Sequence, residues 1–256
     1  MIIAGASVQG TTHLAAAQGC QDAFKAVDLG GAAVLAVSDG AGSRDRSALG
    51  AHIAVDAACR LLTEDLPDTR ETPETWTRWI AGRGRRVVEE YLRAVSGVLG
   101  TDAGPADPGL LGATLTAAAV APPWLAFVSL GDGFATLVTR DDRCHLVLAP
   151  PTGPSGFLSS PGAALRVRTF VVWEPELAAV VLATDGCAPL ALDHPSVREL
   201  PPEAGPLPAE RFFLGLTATL RGNGGDAEPL RRSLSGPEAG RTGDDLTVLC
   251  ALAEGG

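Results

Sequence analysis

Basic residues are scarce in this chain: 20 Lys and Arg stand against 30 Asp and Glu over 256 residues, a formal net charge of -10. That balance repels nucleic acid and anionic membrane surfaces, so neither is expected as a partner. Aromatic residues are only 5% of the chain while hydrophobic residues are 46%, so the core must be built from Ala, Val and Leu. The five cysteines, Cys20, Cys59, Cys144, Cys187 and Cys250, stand singly with no C-x-x-C pair. This excludes a zinc ribbon or dithiol redox motif and leaves reduced, small core residues. There is no C-x5-R loop, no D-x-D motif and no G-x-S-x-G elbow, so no familiar nucleophilic side chain is marked. The N-terminus lacks a basic n-region, and the longest mainly apolar stretch, 113–130, is broken by Pro122-Pro123 and carries Thr114 and Thr116. It reads as a strand pair, so a cytoplasmic protein is expected.

What the chain does have is a repeated arrangement of acids. Three apolar runs, 32–37, 124–128 and 177–182, lead into Ser38-Asp39-Gly40, Gly131-Asp132-Gly133 and Thr184-Asp185-Gly186. A fourth cluster, Gly243-Asp244-Asp245, leads into a further run, Leu246-Thr247-Val248-Leu249-Cys250. Any one Asp-Gly pair is ordinary turn chemistry. Repetition at the tips of buried-type strands favours a shared site, because a strand holds a terminal carboxylate in a fixed place. Carboxylates brought together this way repel one another unless a multivalent cation sits among them, which points to a hard-metal site of oxygen ligands.

The rest of the pattern describes an α+β chain in one domain, 1–256. Residues 1–40 read as strand, loop, strand and strand, with Gly10-Thr11-Thr12-His13 and Gly19-Cys20-Gln21-Asp22 as turns. Ala48, His52, Val55, Ala58, Cys59 and Leu62 recur at helical spacing behind a cap at Asp45 or Ser47, with His52 on the core face. A second helix is predicted over 72–98 from its Thr72-Pro73-Glu74 start. A strand meander is predicted over 110–148, a long irregular segment over 150–162, strands over 165–173 and 178–184, a helix over 209–220 and a last strand over 246–252. Strands outnumber helices, so a layered fold is expected in place of an alternating one.

In order along the chain, Gly19-Cys20-Gln21-Asp22-Ala23, Val37-Ser38-Asp39-Gly40-Ala41-Gly42, Gly112-Ala113-Thr114-Leu115, Gly131-Asp132-Gly133, Ala183-Thr184-Asp185-Gly186 and Gly243-Asp244-Asp245-Leu246-Thr247-Val248 resemble the metal-dependent Ser/Thr protein phosphatases of type 2C, particularly the divergent bacterial branch. The resemblance spans essentially the whole chain. It implies a four-layer α-β-β-α sandwich, two central antiparallel sheets flanked by helix pairs, with two Mg²⁺ or Mn²⁺ ions at one end and a possible third. It further implies that Asp39 bridges both ions with the Gly40 carbonyl as another ligand. Asp22 serves one ion, Asp185 and Asp244 serve the other, and Asp132 belongs to the third. Asp245 falls where the family usually has Asn, so Asp244 is the favoured ligand of that pair.

The implied activity is hydrolysis of phosphoserine and phosphothreonine in a protein partner, opposite a cognate kinase in bacterial signalling, by a monomer. Paired cations lower the pKa of a bridging water and clamp developing charge, so no nucleophilic side chain is needed. One departure stands out. Residues 1–24 contain no Arg or Lys where better-known members carry a phosphate-holding Arg. His13 and Arg44 are the candidate replacements, His13 as a catalytic or substrate-binding group and Arg44 as a substrate-binding one. A non-catalytic phospho-protein binding module or metal sensor, and a phosphatase of small metabolites, are the alternatives. The segment 150–161 occupies the place of the family's flap beside the active site.

Overall fold

A computed structural model describes residues 1–42, 46–100, 107–153 and 155–253. The strands are β1 (Ile2–Val8), β2 (Ala23–Asp28), β3 (Ala33–Ser38), β4 (Leu115–Ala121), β5 (Trp124–Leu130), β6 (Phe134–Thr139), β7 (Cys144–Leu148), β8 (Arg168–Trp173), β9 (Leu177–Ala183), β10 (Leu192–Asp193), β11 (Leu207–Pro208) and β12 (Leu246–Leu252). The helices are α1 (Thr11–Ala15), α2 (Ser47–Thr63), α3 (Pro73–Leu99), α4 (Ala163–Arg166), α5 (Ala188–Ala191), α6 (Glu210–Gly222) and α7 (Glu228–Leu234). Two five-stranded antiparallel sheets, in the orders β1-β12-β9-β6-β7 and β2-β3-β4-β5-β8, form the body, and β10 pairs with β11 apart from them.

The continuous apolar runs have a simple cause: each central strand is buried on both faces. In β3, Leu35 and Val37 point between the sheets while Val34 and Ala36 point toward α2 and α3. In β12, Leu249 and Ala251 point between the sheets while Val248, Cys250 and Leu252 meet the packing of α6 and α7. Three apolar layers therefore separate four layers of structure, as the sandwich resemblance implies. Thr72 caps α3, its hydroxyl accepting the Thr75 N–H, and Trp76 of that helix stacks on Trp124 with centroids 5.9 Å apart. Both tryptophans serve packing. Among the described residues, no helix is long and apolar enough to cross a membrane.

Several expectations are corrected. The run over 110–148 is not one meander: β4 and β5 lie in one sheet, β6 and β7 in the other. Gly131, at φ +116°, takes the backbone out of one sheet toward the other, a conformation that side-chain-bearing residues rarely adopt. Thr11–Ala15 is a helical turn and not an open loop, and 163–166 is helical before β8 begins. His52 is exposed, because the buried stripe of α2 runs through Ala51, Ala54, Val55, Ala58 and Leu62, one position away from it. Of the two expected caps, Asp45 lies outside the described residues, and Ser47 is the first helical residue. The helix α7 has no counterpart in the sequence reading, its seven residues being too few for a clear period.

Candidate metal centre

Asp39 follows β3 and is fixed by its backbone. Its N–H donates to Thr114 Oγ1 at 3.0 Å, and its carbonyl accepts the Thr114 N–H at 2.8 Å. Gly40 continues the pairing as a bridge to Ala113 and donates its N–H to the Gln21 carbonyl at 3.1 Å. A Cβ on Gly40 would lie 2.7 Å from the Ser47 carbonyl group and 2.9 Å from the Gln21 carbonyl oxygen. Only glycine lets the β3 tip pass between α2 and the Asp22 segment at that distance.

Asp22 is buried just ahead of β2 and accepts the Thr184 hydroxyl at 2.8 Å. That bond joins it to the segment bearing Asp185, which opens a short 3-10 turn after β9. Asp244 lies beside them: a Cβ on Gly186 would be 3.3 Å from Asp244 Cβ and 2.1 Å from the Asp245 carbonyl oxygen. Asp132, in the turn between β5 and β6, accepts the Ser155 hydroxyl at 2.6 Å on Oδ2, while its buried Oδ1 has no partner among the described residues. An unpartnered buried carboxylate oxygen is costly, and a cation is one way to satisfy it.

The electrostatics report the same proximity. Burial first, then the charges of Asp22, Asp185 and Asp244, push the Asp39 carboxyl well above the usual carboxylate range. Asp22 is likewise raised, chiefly by burial and further by the Asp245 charge, against hydrogen bonds from Thr247 and Thr184. Asp185 is pushed up to about 6 by burial and by the charges of Asp132 and Asp244. Among the described residues no group of three or more acidic, histidine or cysteine side chains stands close enough together, as positioned here, to hold a metal ion. The carboxylates gather at the range of mutual repulsion, and all their donors are hard oxygens, the set that suits Mg²⁺ or Mn²⁺.

His13 sits in α1 with its side chain 12% exposed, its Nδ1 2.9 Å from Asp245 Oδ2. The approach is out of line for a hydrogen bond, so Nδ1 lacks an aligned partner among the described residues. Arg44 lies outside the described residues. Three groups escaped the sequence reading. Thr184 and Thr247 carried a signal, each being a hydroxyl residue within or beside an apolar run. Ser155 carried none, since nothing in a Pro- and Gly-rich segment singles out one serine.

The architecture is that of bacterial serine/threonine phosphatases. Solved structures that superpose on this chain include the serine/threonine phosphatase Stp1 from Staphylococcus aureus, at 13% identity and TM-score 0.59, covering 100% of this chain and 96% of that one. The catalytic domain of the serine/threonine protein phosphatase PstP in complex with two manganese ions matches at 17% identity and TM-score 0.59, over 98% of each chain. The Mycobacterium tuberculosis phosphatase PstP/Ppp matches at 16% identity and TM-score 0.59, over 100% of each. The chain belongs to the protein phosphatase 2C family, whose model matches residues 9–235. Comparison with curated proteins finds none that matches.

Proposed function

We propose that this protein is a divalent-metal-dependent phosphatase that hydrolyses phosphoserine and phosphothreonine in a protein substrate, with residues 1–256 as one catalytic domain. The observation that carries it is the approach of four separate acid-bearing segments: Thr184 bonds Asp22, the Gly186 backbone lies against Asp244 and Asp245, and Gly40 bonds Gln21. Family membership supports the reaction class, and the manganese-bound PstP domain supports the choice of cation.

In this reading Asp39, the Gly40 carbonyl, Asp22, Asp185 and Asp244 would hold two Mg²⁺ or Mn²⁺ ions, and Asp132 would serve a third. When bound, the ions supply an activated water and charge neutralisation for the phosphoryl group. The chain's own part is positional. Thr114 and Gln21 hold the Asp39-Gly40 backbone, Thr184 holds Asp22, and Ser155 holds Asp132. His13 is the group proposed to meet the substrate phosphate, with Arg44, outside the described residues, as the alternative. A cytoplasmic monomer acting opposite a cognate kinase completes the proposal.

The test is turnover of p-nitrophenyl phosphate and of a phosphothreonine peptide with Mn²⁺, lost in EDTA and lost in Asp39→Asn. Turnover that survives both treatments refutes the reading. Peptide binding without turnover at saturating Mn²⁺ makes the protein a phospho-protein binding module instead.

A further inference from the structure

Two departures from the pattern this sequence resembles, the missing basic residue in 1–24 and the acid at 245, meet in space as His13 and Asp245. We propose that Asp245 is a positioning residue, whose carboxylate holds the backbone on either side of His13, and with it the Asp22 segment, and thereby orients the imidazole for the substrate phosphate. This deepens the phosphatase reading and rests on it.

Asp245 is 1% exposed, and both of its oxygens are engaged. Oδ1 accepts the Gly10 N–H at 2.6 Å, and Oδ2 accepts the Gln21 N–H at 2.6 Å while standing 2.9 Å from His13 Nδ1. Hydrogen bonds from backbone N–H groups to a buried carboxylate are charge-assisted and about twice as strong as neutral ones. The two donors flank His13, one on each side along the chain. The Thr12 N–H adds a bond to the Gly243 carbonyl at 3.0 Å, so α1 is docked onto the residues leading into β12.

The hold extends beyond the histidine. Gln21 precedes Asp22, its carbonyl accepts the Gly40 N–H, and its side-chain oxygen accepts the Ser47 hydroxyl at 2.9 Å. One carboxylate therefore ties together the segments carrying Asp22, Asp39 and Asp244. With Nδ1 turned to Asp245, His13 Nε2 lies at the other end of the ring, 3.8 Å from where a Cβ on Gly42 would stand. The imidazole thus spans from Asp245 to the chain just after Asp39-Gly40. Asparagine at 245 has a single acceptor oxygen, and its NH₂ group would face a backbone N–H, so one of the two clamps would be lost.

A double-mutant cycle on the Mn²⁺-loaded full chain tests this. His13→Ala, Asp245→Asn and the double variant are compared by KM and kcat on p-nitrophenyl phosphate and a phosphothreonine peptide, with Mn²⁺ affinity read by calorimetry. Each single variant is expected to lose about 10- to 100-fold in kcat/KM, the range seen when an orienting partner is removed. The double variant should be no worse than the poorer single, because the two residues act as a unit. His13→Ala should keep Mn²⁺ affinity within about threefold, since it leaves both backbone clamps in place. Losses that multiply in the double variant, or unchanged kinetics in His13→Ala, overturn the inference. Should Asp245→Asn melt below the assay temperature, the His13→Ala kinetics alone decide. A wild-type chain inactive on both substrates with Mn²⁺ is the separate failure of the phosphatase reading and takes this inference with it.

Discussion

The Ser155 hydroxyl donates to Asp132 Oδ2 at 2.6 Å, tying the irregular segment after β7 to the acid in the turn between β5 and β6. That segment is anchored nearby by Leu158, which is fully buried and donates its N–H to the Ala113 carbonyl at 2.8 Å. A stretch with little regular structure is thereby referenced to the β4 start, the same element that clamps Asp39.

Ser155→Ala should loosen that tie. A hydrogen bond to a carboxylate is worth about 1.5–3 kcal/mol, so kcat/KM on a phosphothreonine peptide should fall by about tenfold or more. Melting temperature in EDTA should move little. An unchanged peptide kcat/KM would show that the bond does not govern the site.

Asp39→Asn separates function from stability. It should abolish measurable turnover, yet raise the melting temperature of the metal-free protein, because an amide escapes the cost of either burying an ionised Asp39 among Asp22, Asp185 and Asp244 or taking up a proton to avoid that. Relief of about 1 kcal/mol corresponds to about 2–4 °C for a chain of this size. Calorimetry in EDTA at neutral pH checks it, and a lower melting temperature would contradict the repulsion argument.

The pH dependence of the metal-free protein follows from the same groups. Asp185 is raised from an ordinary 3.8 to about 6, and Asp22 and Asp39 are raised as well, all chiefly by burial. The folded chain then keeps protons that the unfolded chain has released. Stability from these groups is complete below about pH 4 and is lost as pH rises through about 6 for Asp185 and higher for the pair. Melting temperature in EDTA should fall across that window, and Mn²⁺ should restore it at neutral pH. A flat profile in EDTA would falsify the clustering of ionisable carboxylates.

Two glycine substitutions should act in opposite directions. Gly186→Ala places a Cβ 2.1 Å from the Asp245 carbonyl oxygen, a backbone atom that must move. It should cost about 1–3 kcal/mol and weaken Mn²⁺ binding. Gly82→Ala in α3 has nothing within 4 Å and should stabilise by about 1 kcal/mol without touching activity. Denaturant melts of the two variants give the comparison.

Much of this was legible in one dimension. A strand buried on both faces must be continuously apolar, so runs such as 177–182 declared themselves, as did the helical spacing behind α2 and α3. The acids at 39, 132, 185 and 244 stood out because a charged residue ending such a run needs a reason. His52 was misplaced because a helix one position out of phase turns a residue through about 100°, enough to move it from core to solvent. The meander was misread because a strand's sequence does not say which of two sheets it joins.

Local pattern and composition by themselves determined the layered α+β character, the apolar strands and the repeated acidic tips, since burial and turn formation act on neighbouring residues. That Asp245 turns inward to accept the Gly10 and Gln21 N–H groups with His13 close by while Asp244 stands beside Asp185, and that Ser155 reaches Asp132, were decided only by the tertiary structure. Those contacts join residues 23 to 235 positions apart, and packing in three dimensions is what brings them together.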